Sequence, residues 1–86
     1  MRHRRFVDMP RYFFDYVEDG RPVPDPDGGD HQDLEHARLE ALFALGELVK
    51  AQLSESDQRD FQMQVRSQDG QVLLRASLSL RVEVLP

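Results

Sequence analysis

The chain of 86 residues contains no cysteine, which excludes disulfide bonds, thiolate zinc sites and a cysteine nucleophile. It also lacks a long hydrophobic run: the longest nearly apolar stretch, residues 41–46, is far shorter than the roughly 20 residues that cross a bilayer. The bases near the N-terminus are not followed by an apolar segment, so no secretory signal is predicted. We therefore expect a cytoplasmic protein without a membrane partner.

Basic residues are in the minority, at 11 against 16 acidic ones, and the formal net charge is -5. An excess of negative charge disfavours binding to nucleic acid. Hydrophobic residues make up 40% and charged residues 31%, a mixture typical of a soluble globular protein with a small core. The acids are concentrated in residues 15–40, which hold nine acids against two arginines.

The N-terminal half predicts a strand followed by a loop. Residues 11–18 are rich in aromatic and β-branched side chains, and we expect Tyr12, Phe14 and Tyr16 to face inward. A turn at 19–20 follows, and residues 21–25 are expected to pair back on the strand at an edge, where proline is tolerated. Residues 20–32, with three prolines and three glycines, read as a loop.

A long helix is predicted over about residues 33–53, with Asp33 as its N-cap. Leu39 and Phe43 lie on the polar side of the helical wheel, and Arg38 lies inside its apolar half. Because a buried lone charge is costly, we expect the Arg38 guanidinium to reach water or a carboxylate of Asp15, Asp33 or Glu35. The residues that fill the apolar half are Leu34, Ala37, Ala41, Leu42, Ala44, Leu45, Leu48, Val49 and Leu53.

The C-terminal third predicts a β-hairpin. Asp69-Gly70 favours a two-residue type I′ turn, which would pair Gln68 with Gln71. Apolar residues then face each other at alternate positions: Val65 with Leu74, Met63 with Ala76 and Phe61 with Leu78.

The last strand alternates as far as Val84 and outruns its hairpin partner, so we expect residues 79–84 to pair with the first strand. These elements predict an α+β domain, a small two-layer ββαββ fold in which one long helix packs on one face of an antiparallel sheet.

No arrangement of side chains predicts catalysis or metal binding. The acidic loop 25–33 lacks the spacing of an EF-hand, and His31 and His36 do not share a helical face as an HExxH pair does. None of the serines lies in a nucleophile elbow, and no phosphate-binding glycine loop is present. We expect no enzyme activity, no metal and no cofactor.

The N-terminal cluster Arg2-His3-Arg4-Arg5 is expected to be a basic tail rather than a phosphate-binding patch. We interpret residues 1–8 as a flexible basic extension and residues 9–86 as a single α+β domain.

Several local motifs together resemble one family. They are 9–15 (MPRYFFD), the Asp19-Gly20 turn, Asp25-x-x-Gly28, the helix start at 33–41 (DLEHARLEA), and the hairpin with Val65-Arg66 and Asp69-Gly70. Over about residues 9–85 the chain resembles the DUF6894 family of small uncharacterised bacterial proteins. The resemblance implies no activity and no functional residues. A more distant likeness is to HicB-like antitoxin domains.

We therefore expect a non-catalytic domain that acts through protein–protein interaction or homodimerisation. The candidate interaction surface is the outer helix pair and the end of the last strand: Leu39, Phe43, Leu80, Val82 and Val84. The alternative is an antitoxin-like or regulatory protein that binds a basic partner through its acidic segment 15–40.

Overall fold

The computed structural model describes residues 9–18, 20–53 and 58–86. Its elements follow the order β1 (Arg11–Glu18), β2 (Arg21–Val23), β3 (Gly29–Asp30), α1 (Leu34–Gln52), β4 (Gln58–Ser67) and β5 (Val72–Arg81). The strands form one antiparallel sheet and the helix packs on one of its faces, which confirms the predicted α+β class. The predicted extension 1–8 lies outside the described residues. No described helix has the length and apolar character to span a membrane.

The order of the strands is β2-β1-β4-β5, with β3 beside β1. The expectation that β1 pairs with residues 79–84 is wrong, because β1 pairs with β4. This register places Phe14 opposite Val65 and Tyr16 opposite Met63, so apolar residues meet on the inner face. The hairpin partner also starts earlier than predicted: Gln58 pairs with Arg81, and the chain beyond Arg81 has no strand. Among the described residues β5 is consequently the edge of the sheet.

The register of the β4–β5 hairpin is as predicted, but its turn is not. Val65, Met63 and Phe61 face Leu74, Ala76 and Leu78. At the turn, however, Ser67 rather than Gln68 pairs with Gln71, through an N–H···O bond of 2.8 Å, and the Gly70 amide donates to the Ser67 carbonyl. The loop therefore has three residues, with Gly70 at φ +92. A bulge opposite Val65 and Arg66 adds one residue to β5 and restores the predicted pairing.

The helix begins where the sequence predicts, since the Asp33 side chain accepts the His36 amide at 2.9 Å. Tyr12, Ala37, Ala41, Leu45, Phe61, Met63 and Val65 form the buried core, and Phe14 and Tyr16 pack against it. The inward orientation of the three aromatic residues of β1 is thus confirmed. Three residues assigned to the apolar half of the helix, Leu34, Leu42 and Leu53, are instead exposed, because a single helix lying chiefly over β4 buries a narrower arc than half a wheel.

Two polar side chains singled out in the sequence, Arg38 and His31, have partners within the chain. Arg38 is exposed and binds Glu35 in a bidentate pair, with Nη2 2.8 Å from Oε2, which confirms one of the three expected partners. His31 is half-buried and packs edge-on against Phe14, with ring centroids 5.3 Å apart.

Gly28 closes the loop over β1 in a conformation that requires glycine. Its φ is +71, and a Cβ at this position would lie 2.8 Å from the Tyr12 carbonyl oxygen and 2.9 Å from the Phe13 ring. Gly20 also has a positive φ, of +80, but a Cβ added there would have no atom within 4 Å outside its own chain neighbours.

We expect Gly28→Ala to lower the free energy of unfolding by about 2–4 kcal/mol, because it adds a backbone clash to the cost of a left-handed alanine. Gly20→Ala isolates the conformational cost alone, about 1–2 kcal/mol. Gly46→Ala, in an exposed helical position with open space around it, should raise stability by about 0.5–1 kcal/mol. Urea unfolding of the three variants measures these differences, and equal losses at Gly28 and Gly20 would contradict the close approach.

Candidate functional site

The predicted interaction residues do not form one cluster. Leu39 and Phe43 are neighbours on the outer side of α1, with 46% and 74% of their surface exposed. Val82 and Val84 are exposed beyond the end of β5. Leu80 is half-buried and packs against the core, so it is less exposed than the other four.

Leu42 extends the exposed apolar surface of the helix toward β5. β2 and β4 are both antiparallel to β1 and therefore parallel to each other, with α1 between them in sequence. A crossover connection between two parallel strands is right-handed. The direction of the Ser67 amide, which points to β5, leads to the same handedness, because in a strand of L-residues the side of the amide determines which face the side chain is on. Viewed from the helix side with β4 running upward, β5 is on the right and α1 runs downward. Seen from the N-terminus of α1, successive residues are rotated clockwise by 100°. Because the buried Ala41 faces the sheet, the next residue, Leu42, faces β5.

The sheet beneath this flank of α1 is incompletely covered. Leu74, Ala76 and Leu80 on the inner face of β5 are half-buried, and 46% of the Leu78 surface is exposed. Leu42, itself 44% exposed, lies on the side of the helix above them. We call Leu39, Leu42, Phe43 and Leu78 the apolar strip. Exposed apolar surface that is contiguous rather than scattered is typical of interaction sites.

The outer edge of β5 presents unpaired backbone groups. Hydrogen bonding alternates along an antiparallel ladder, and the Ser67 amide points toward β5. The inner residues of β4 therefore bond to Leu74, Ala76 and Leu78, whereas the amides and carbonyls of Arg75, Ser77 and Ser79 point away from β4. Within the described parts of the chain no strand pairs with this edge.

The opposite face of the sheet carries a buried ion pair that the sequence did not predict. Asp15 is only 3% exposed, and Arg66 binds it through Nε to Oδ2 at 2.8 Å and Nη2 to Oδ1 at 3.2 Å. The guanidinium also lies over the Phe13 ring, 4.6 Å from its centroid. Burial raises the pKa of Asp15, but the Arg66 hydrogen bonds, the Asp25 amide and the Arg66 charge outweigh it, so the net pKa is below its ordinary value.

The same carboxylate attaches the proline-rich loop to the sheet. The Asp25 amide donates to Asp15 Oδ1 at 2.8 Å, and the Asp25 side chain accepts the amides of Phe14 and Asp27 at 3.1 Å. Burial also opposes ionisation of Asp25, yet these amides hold its pKa below the ordinary value. Both carboxylates are therefore ionised at neutral pH and act as hydrogen-bond acceptors, with no proton to exchange near pH 7.

A cleft of about 410 Å³ lies between the end of β1, the last turns of α1 and the start of β4. Arg59 lies over the Phe61 ring there, and its Nη2 donates to Gln52 Oε1. The described residues that line the cleft include no serine, histidine or lysine. The described chain also shows no group of three or more acidic or histidine side chains arranged to hold a metal ion.

Two features of these surfaces escaped prediction for different reasons. The partner of Asp15 is 51 residues away in sequence and is reached only through the β1–β4 register, which was predicted wrongly. An acid among the aromatic residues of a strand was nevertheless a signal that a basic partner exists. Leu42 and Leu78 carried a core pattern, and their exposure follows from the position of the helix rather than from any local motif.

We expect Asp15→Asn to lower the free energy of unfolding by about 2–4 kcal/mol, because Arg66 loses a buried ionic partner. The depressed pKa means that the native state of the wild type is stabilised above the unfolded pKa of about 3.9 and loses this stabilisation as pH falls through the folded pKa. Urea unfolding between pH 7 and pH 2 should therefore show a steeper acid loss for the wild type than for Asp15→Asn.

Glu35→Gln serves as the control, since the Glu35–Arg38 pair is exposed and contributes little. An Asp15→Asn variant as stable as this control at pH 7 would contradict a stabilising role for the buried pair.

The family comparison agrees with the resemblance seen in the motifs. Comparison with curated proteins and with solved structures gave no match. The likeness to HicB-like antitoxin domains stays a prediction. A family model described as a domain of unknown function, DUF6894, matches residues 11–79, a span that runs from the first residue of β1 to within two residues of the end of β5. The chain therefore belongs to the DUF6894 family.

Proposed function

We propose that this protein is a non-catalytic interaction domain that associates with a second copy of itself through the apolar strip. The observation that carries the proposal is the exposure of Leu39, Leu42 and Phe43 on the helix together with that of Leu78 on the inner face of β5. Water contact with this surface is unfavourable, and a second apolar surface removes it.

Burial of the apolar strip in a dimer would offset part of the free-energy cost of association. Full burial of a Leu or Phe side chain contributes roughly 1.5–3 kcal/mol, and the cost of association is about 4–15 kcal/mol. The strip side chains are only 44–74% exposed, so each contributes roughly half of this figure, and burial of three from each copy offsets the lower end of the cost. Any further backbone pairing adds to it.

The rest of the molecule supports a non-catalytic role. The most buried carboxylate, Asp15, is neutralised by Arg66, and Asp25 is engaged with backbone amides. A general acid or base needs a pKa near the working pH, whereas both of these pKa values are lowered.

The alternative, an acidic segment that binds a basic partner, is favoured less by these contacts. Of the acids in residues 15–40, five have partners within the chain: Asp15, Asp25, Asp30, Asp33 and Glu35. Arg66, Arg11 and Arg38 neutralise three of them, which weakens the field that would attract a basic protein.

Sedimentation velocity at tens of micromolar tests the proposal. We expect the wild type to sediment as a dimer and Leu42→Glu to raise the dissociation constant at least tenfold, because a carboxylate is then desolvated in the contact. Phe43→Glu, at the solvent-side end of the strip, should weaken the dimer less. Circular dichroism checks that the helix is retained.

Ala51→Glu is the matched control: it places the same charge at an exposed position of α1 on the flank that faces away from β5. It should leave the dimer intact. A monomeric wild type across this range, or equal weakening by Ala51→Glu and Leu42→Glu, would overturn the proposal. Binding of a small basic protein by a monomeric wild type would favour the acidic-segment alternative instead.

A further inference from the structure

We infer that the second copy docks edge to edge: β5 pairs antiparallel with β5 of the other copy about a two-fold axis at Ser77, forming one continuous sheet across the dimer. This inference rests on the proposed self-association and specifies the geometry of the contact. Its basis is the backbone edge, the side-chain sequence of β5 and the position of α1.

The edge of β5 has the properties of a strand that accepts another strand. β5 is ten residues long, and the amides and carbonyls of Arg75, Ser77 and Ser79 face outward. Proteins protect exposed edges with charged side chains, proline, inward-pointing charges, short strands or bulges, and β5 has two charged residues on its outer face, Arg75 and Arg81. β5 has no proline and no charge on its inner face, and its bulge lies at the turn end, before Leu74.

The sequence of β5 is complementary to itself when Ser77 lies on the axis. Residues whose numbers add to 154 then face each other, so Leu74 faces Leu80 of the second copy and Ala76 faces its Leu78. Each small or half-buried inner side chain meets a large one. On the outer face Ser77 meets Ser77, and Arg75 meets the small Ser79 of the second copy.

Charge also favours this register over its neighbours. Ser79 Oγ donates to Asp60 Oδ1 at 2.9 Å, so Arg75 would lie two strand spacings, about 10 Å, from Asp60 of the second copy. This is about one Debye length at 0.1 M salt, so the attraction is only partly screened. An axis at Leu78 instead places Arg75 directly opposite Arg81, which is repulsive. An axis at Ala76 places the Ala76 residues of the two copies opposite each other. Arg75 then lies near the neutral Gln62 of the second copy rather than near Asp60.

The helices complete the contact from above. α1 lies chiefly over β4, and the two β4 strands of the joined sheet are three strand spacings, about 14 Å, apart. Leu42 of each copy points into the space between the helices, over Leu78 and Ala76 of both β5 strands. The two-fold axis therefore brings both halves of the apolar strip together, whereas Phe43 remains at its margin.

Ser77→Cys tests the register directly, because the chain has no cysteine of its own and a disulfide can form only between copies. Facing residues in an antiparallel pair have Cα atoms about 5.5 Å apart, within the range that a disulfide bridges. We expect mild oxidation of Ser77→Cys at tens of micromolar to give a covalent dimer on non-reducing electrophoresis.

Ser79→Cys is the matched control, since it is an exposed serine on the same face of the same strand. In the proposed register the two Ser79 positions are about 13 Å apart along the strands, too far for a disulfide. We expect at least tenfold more covalent dimer from Ser77→Cys than from Ser79→Cys, with both variants folded by circular dichroism. Equal cross-linking, or more from Ser79→Cys, would overturn the Ser77 register.

The outcomes separate this inference from the proposed function. If the wild type sediments as a dimer that Leu42→Glu dissociates but Ser77→Cys does not cross-link, the edge pairing is wrong and the apolar strip still mediates association. If the wild type is monomeric, both are wrong. Efficient cross-linking that Leu42→Glu reduces in the double variant supports both.

Discussion

The width of one helix constrains everything else in this fold. An α-helix with its side chains is about 10 Å across, and strands are about 4.8 Å apart, so one helix covers about two strands. This sheet is four strands wide along its main path, β2-β1-β4-β5, and α1 lies chiefly over β4. The aromatic side chains of β1 with His31 fill the space on one side of the helix. On the other side, the inner face of β5 is left with Leu78 substantially exposed.

The second face of the sheet, on which no helix of the described residues lies, is organised by charge instead. Asp15 is buried by the proline-rich loop that it anchors, and the Arg66 guanidinium compensates its charge while stacking on Phe13. Such a pair is costly to break, so it ties the loop and β1 to β4. The Asp25 and Gly28 positions, which contributed to the family resemblance, are explained by this loop: one caps the amides of Phe14 and Asp27, and the other lets the backbone pass against Tyr12. Their roles are structural.

The sequence predicted what local patterns determine. Asp33 and the apolar spacing gave the helix to within a residue at each end, and alternation gave the pairing of Phe61, Met63 and Val65 with β5. The three-residue turn was missed because a compensating bulge leaves that pairing unchanged. The strand order was not predicted because it depends on long-range pairing. β4 begins at Gln58 and so pairs with β5 as far as Arg81. β1 is therefore not needed beside the end of β5 and pairs with the other side of β4. The Asp15–Arg66 pair and the exposure of Leu42 both follow from that order, so neither was accessible from local patterns.

Amide hydrogen exchange resolved along β5 tests the central claim, that a second copy occupies the free edge of the sheet. The amides of Ala76 and Leu78 are bonded to β4 and should be protected at every protein concentration. The amides of Arg75, Ser77 and Ser79 point outward, and we predict that their protection rises as the protein concentration increases from well below to well above tens of micromolar. Rapid exchange of these three amides at all concentrations, with Ala76 and Leu78 still protected, would contradict the account.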